Sequence, residues 1–84
     1  ENAQIYHQFM SAKETDNEDM AHLAVEMLAQ NYKKMFVLDN ARNILLDLAK
    51  EYLENSKLAE TVDSQFGKGC SRYVAYAIRR YYGV

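Results

Sequence analysis

Proline is absent from this chain of 84 residues, and glycine occurs three times, at 67, 69 and 83. A turn-rich all-β domain needs both residues at its reversals, so their scarcity excludes that class and favours helices. Cys70 is the only cysteine, so no internal disulfide forms, as suits a reducing cytoplasm. No apolar run approaches the ~20 residues of a membrane span, and no signal peptide is visible. A cytoplasmic protein with no membrane partner is expected. Excess positive charge is lacking as well. Ten Lys and Arg stand against twelve Asp and Glu, which leaves this segment no electrostatic footprint for nucleic acid.

Hydrophobic residues make up 49% of the chain. That suffices for one small core without metal or disulfide, and the length allows one domain. Because the first residue is Glu1 rather than Met, an excised domain of a longer parent is expected. Charge is uneven along it. Glu1, Glu14, Asp16, Glu18, Asp19 and Glu26 face only Lys13 in the first third, whereas Lys68, Arg72, Arg79 and Arg80 stand without an acid after residue 66. The two ends are expected to pair or to be solvated.

The stretch Cys70 to Tyr82, CSRYVAYAIRRYY, reads as the central helix. Tyr73 to Ile78 is apolar on every side, which predicts enclosure by other helices. Cys70, Tyr73, Val74, Ala77, Ile78 and Tyr81 fall at steps of three and four and mark its deepest face. Gly67 and Gly69 break whatever precedes it.

Before it, the periodicity predicts a first helix over 2–12 with Ile5, Tyr6, Phe9 and Met10 inward, then a KETDN loop. Asp16 or Asn17 is placed to cap a second helix, about Glu18 to Met35, whose stripe is Met20, Leu23, Ala24, Met27, Leu28, Asn31 and Met35. Phe36-Val37-Leu38 follows as an apolar connector expected to pack inward, and Asp39 as the next cap. A third helix, about Asn40 to Glu54, carries the cleanest stripe: Ala41, Ile44, Leu45, Leu48, Ala49, Tyr52 and Leu53. Asn55 and Ser56 offer a stop and a new cap for a fourth, Lys57 to about Gln65, burying Leu58, Val62 and Phe66. The expected fold is all-α, a five-helix array in which four helices surround the fifth.

Chemistry-bearing patterns are sparse. Asp19, His22 and Glu26 share a helix face, but no second histidine or cysteine accompanies them, so a solvated acidic face is the better reading than a metal site. Cys70 on an apolar face reads as a buried, inert thiol. No Ser/His/Asp order, phosphate loop or carboxylate pair is apparent, so neither an enzyme nor a cofactor is expected. Seven tyrosines and four methionines are more than one small core absorbs, and adaptable apolar pockets use both.

From Leu48 to Tyr81 the chain resembles the end of the TipAS antibiotic-recognition domain, the effector half of a branch of the MerR transcription activators. The shared features are L-x-x-x-Y at Leu48 to Tyr52, the apolar-Asp pair Val62-Asp63, the turn Gly67 to Gly69, and Ala77-Ile78 near the end of the last helix. Phe9 and the second-helix pattern fit at near-equal spacing, so the resemblance covers most of the chain. It implies a globin-like array that binds amphipathic or peptide-like drugs, such as thiopeptides. In that family ligand binding switches on resistance genes through an N-terminal helix-turn-helix and a dimerising coiled coil. DNA would therefore be met only through that absent part, in a homodimeric parent. One departure matters. The cysteine with which the family's founding member captures thiopeptides corresponds here to Asp47, so binding is expected to be non-covalent and an acidic residue suits a cationic ligand.

The candidate site follows from these readings. Asn43, Asp47 and Glu51 lie on the flank of the third helix with Ile44 at its border. Phe9, Met35 and Phe36 stand near chain ends or helix junctions where a groove can open, and Tyr76 and Tyr81 would close it. The alternative is a stand-alone interaction domain that takes a peptide or partner helix in the same apolar groove.

Overall fold

Residues 2–84 are described by a computed structural model. They form five helices, α1 (Asn2–Thr15), α2 (Glu18–Phe36), α3 (Arg42–Glu54), α4 (Ser56–Phe66) and α5 (Cys70–Tyr82). No strand occurs among the described residues, and no helix there is long and apolar enough to cross a membrane.

Side chains set most of the helix ends. α1 runs past its expected end to Thr15, whose hydroxyl donates to the Ser11 carbonyl at 2.8 Å. Asp16 then turns to φ 52° and ends it. Asn17 caps α2 by accepting from the Met20 N–H at 3.0 Å, and Asn55 caps α4 by accepting from Leu58 at 3.2 Å. Each satisfies an N–H that has no partner inside its helix. Asp39 does not cap α3 as expected. Asn40 accepts from the Arg42 N–H at 3.2 Å instead, and the helix starts at Arg42.

The cap of α5 comes from another helix. Gly69, at φ 83°, has no side chain to offer. Asp63 of α4 reaches across, and its carboxylate accepts from the Ser71 N–H at 2.8 Å. Burial disfavours the Asp63 carboxylate, but hydrogen bonds from Ser71 and the Gly69 backbone outweigh it and hold the carboxyl below its ordinary range. Gly67 is required by its backbone conformation, and the end of the Met10 side chain would have to shift for any larger residue. Its φ is +133°, and a Cβ there would stand 2.9 Å from the Met10 side chain.

α5 packs against all four other helices, as its sequence predicts; α3 lies along it, and α1 pairs with α2. Phe9, Val25, Leu28, Leu45, Cys70, Val74 and Ile78 are wholly buried at their junction. Each large apolar side chain there contributes about 1.5–3 kcal/mol. Tyr6 meets Phe9 and Tyr52 edge to face, and the buried Tyr6 and Tyr52 hydroxyls hydrogen-bond to each other. At the surface, Arg80 and Glu18 pair at 3.5 Å, joining the basic and acidic ends of the chain.

Three expectations are corrected. α5 is not enclosed all round: Arg72, Tyr76, Arg79 and Arg80 form an open side, with Tyr76 45% exposed. Ser71 and Ala75 are buried beside the expected Ala77, whereas Tyr73 and Tyr81 are only half-buried, because the small residues let neighbouring helices come close. In α2 the buried face is Ala21, Ala24, Val25 and Leu28, while Leu23, Met27 and Met35 are exposed. The alanines admit α1 and α5, which rotates the larger side chains outward. Finally, Phe36-Val37-Leu38 points outward. Val37 ends α2 in the left-handed region at φ 53° and is 90% exposed.

Candidate functional site

A groove opens where the end of α2 passes the flank of α3. It encloses about 320 Å³ and is lined by Asn2, Tyr32, Met35, Phe36, Ile44, Asp47, Leu48 and Glu51. A second hollow of about 550 Å³ continues it past the α2–α3 connection. Leu38, Asp39, Asn40 and Asn43 line that part, and the two hollows share Phe36, Ile44 and Asp47.

Each wall has a local cause. On α3, the spacing i, i+4 brings Asp47 and Glu51 to one side, with Ile44 and Leu48 beside them toward the core. On α2, Tyr32 and Phe36 are also four apart and meet edge to face, with ring centres 5.9 Å apart. Asn2 is fixed at the rim because its side-chain carbonyl accepts from Asn31 at 3.0 Å. Burial raises the Tyr32 phenol above its ordinary value, so it enters the site as a neutral hydroxyl. The groove therefore has an aromatic and apolar floor, two carboxylates along one wall and a third, Asp39, at its far end. No Lys or Arg lines either part. Such a surface suits an apolar body bearing positive charge: the floor takes the body, and the exposed carboxylates along the wall attract the cation.

Of the residues expected from sequence, Met35, Phe36, Ile44, Asp47 and Glu51 come together in the groove, and Asn43 lines its extension. The other three lie elsewhere. Phe9 is wholly buried in the core. Tyr81 lines two hollows beside α2, one with Asp19, His22 and Arg80 and one with Glu26, Met27 and Lys33. Tyr76 is on the open side of α5. Tyr32, Leu48 and Asn2 line the groove without having been expected there. The signal for Tyr32 was its four-residue spacing from Phe36. Leu48 reads as core in any periodicity, and its half-exposed edge becomes visible only once α2 is placed.

Neither other candidate gains a partner. Cys70 is fully buried, and burial pushes its thiol up to about 11, with Asp63 adding to the effect. A thiol in that state is a poor nucleophile. Among the described residues no group of three or more His, Cys, Asp and Glu is placed to hold a metal ion. No family model, curated protein or solved structure matches this chain.

Proposed function

We propose that this chain is the ligand-sensing effector domain of a MerR-type transcription activator, with its helices in a globin-like array. It binds an amphipathic cation non-covalently in the groove between α2 and α3. The observation that supports this most is where the groove opens. Asp47, the position that the TipAS resemblance gives to drug contact, stands in its wall beside Glu51 and faces Tyr32, Met35 and Phe36. On this reading the ligand is an apolar drug-like molecule, the parent is a cytoplasmic homodimer, and DNA is met through a separate N-terminal domain. The domain senses and does not catalyse. A second reading has one observation in its favour. The exposed Met35 to Leu38 ridge extends the groove outward, which suits an amphipathic peptide or partner helix.

A titration distinguishes the outcomes. Matched cationic and anionic aromatic dyes are added to the wild type and to Asp47→Asn, with tyrosine fluorescence as the readout. The cation binds the wild type more tightly, and Asp47→Asn costs it about 1 kcal/mol, roughly fivefold in affinity, while the melting curve stays put. Equal affinity for both dyes removes Asp47 from the site. A basic amphipathic peptide that binds more tightly than any dye supports the second reading.

A further inference from the structure

The core leaves the outer face of α2 unused. Asp19, Leu23, Met27, Gln30 and Lys34 are all exposed and recur at steps of three and four, on the side of the helix away from Ala21, Val25 and Leu28. Leu23 is 52% exposed and Met27 39%. Neither belongs to the groove between α2 and α3. Along the 19 residues of α2 the face runs acid, apolar, apolar, polar, base. Turned end for end and laid on itself, it matches. Asp19 comes opposite Lys34, Leu23 opposite Gln30, and Met27 lies near the middle.

We infer that this face is an interface through which two copies of the chain pair, α2 antiparallel to α2, about a two-fold axis near Met27. Charge selects the second copy as occupant. On this face the acid Asp19 stands at the start of α2 and the base Lys34 toward its end. A partner of one charge sign is repelled at one end of this face, whereas a second copy presents lysines to the acids at both ends. The antiparallel arrangement also opposes the two helix dipoles. It carries the outward-pointing Val37 toward the start of the other copy's α2. There Gln4, His7, Gln8 and Ser11 of α1, with Asn17, Met20 and Leu23, border a shallow hollow of about 720 Å³. The apolar residues at the centre adapt well, methionine above all. They are few, and a stable interface buries about 1,600 Å², so the pairing is weak.

The test is sedimentation equilibrium of the 84-residue chain over a wide concentration range. Reversible dimerisation is expected, and Met27→Lys abolishes it without changing the helical circular dichroism. Asp19→Lys and Lys34→Glu each weaken it about tenfold. Because the two single variants are complementary, an equimolar mixture of them regains the wild-type affinity within about threefold. A wild type that stays monomeric, a dimer that survives Met27→Lys, or a mixture no better than its components would overturn the proposal.

Discussion

Asp63 offers the sharpest test of how this fold is held. The perturbation is Asp63→Ala. In the native chain its carboxylate accepts from the Ser71 N–H at 2.8 Å, the first turn of α5 having no cap of its own. Removing a capping acceptor costs about 1 kcal/mol, and removing a negative charge from a helix start adds about 0.3–1. The sum, about 1–2 kcal/mol, is large against the ~5–10 kcal/mol expected for a domain of this size. It lowers the melting temperature by about 4–8 °C per kcal/mol. Asp63→Asn keeps a neutral acceptor and should fall between Ala and the wild type.

The pH dependence gives the check. The folded Asp63 carboxyl titrates below its ordinary value of 3.8. The unfolded chain therefore takes up the proton first as the pH falls. The stabilisation is complete above 3.8 and is lost as the pH drops through the lower, folded value. Urea melts of the wild type and Asp63→Ala should differ by the full amount near neutral pH and converge in acid. A gap that stays constant down to strongly acidic pH, or an alanine variant as stable as the wild type at neutral pH, would refute the assignment of Asp63 as the cap.

Ile78→Asp should unfold the chain, seen as loss of helical circular dichroism, because Ile78 is wholly buried on α5 and an unpaired carboxylate there costs several kcal/mol. Val37→Gly should raise stability by about 1 kcal/mol in urea melts, since glycine takes φ 53° without strain and an exposed valine gives up no packing. Tyr6→Phe should cost about 1–3 kcal/mol by leaving the buried Tyr52 hydroxyl unpaired, with Tyr6→Phe/Tyr52→Phe recovering part of the loss in a double-mutant cycle. Burial raises both phenols above 10.0, so the unfolded chain loses its phenolic protons first and wild-type stability falls as the pH rises past that value, a fall that should be shallower in the double variant, where only Tyr32, Cys70 and the other raised groups contribute.

The sequence carried the helices better than the faces they bury. α5 was readable at its start because Gly67 and Gly69 break the chain before it, and the pairs Asp16-Asn17 and Asn55-Ser56 marked two helix starts by their chemistry, the asparagine of each pair taking the cap. The stripe of α3 was right in register because its large apolar residues and its alanines fall on one side. In α2 they do not. Leu23 and Met27 outweigh Ala21 and Ala24 in any count of hydrophobicity, yet helices pack closest where side chains are smallest, so the alanines took the interface. The same preference put Ser71, Ala75 and Ala77 inside α5 and left Tyr76 out. Periodicity finds the apolar side of a helix; it does not weigh close approach against side-chain size.

The α2–α3 connection shows why only part of the groove was legible. Met35-Phe36-Val37-Leu38 is apolar, and burial is the default fate of such a run. What reverses it is local. α2 ends on Val37 at φ 53°, where the Val37 and Leu38 N–H groups both turn back to the Lys33 carbonyl. That termination fixes the chain direction before the apolar side chains reach the core, so they remain at the surface. Phe36 is then left half-exposed, edge to face with Tyr32. The groove exists because these residues failed to pack inward. The period of α3 puts Asp47, Glu51 and Ile44 on or beside one helix flank, and the TipAS resemblance is what singled that flank out. Tyr32 was legible only through its spacing from Phe36, and Leu48 was not legible as wall at all, because its half-exposed edge depends on a helix end that no hydrophobic pattern predicts.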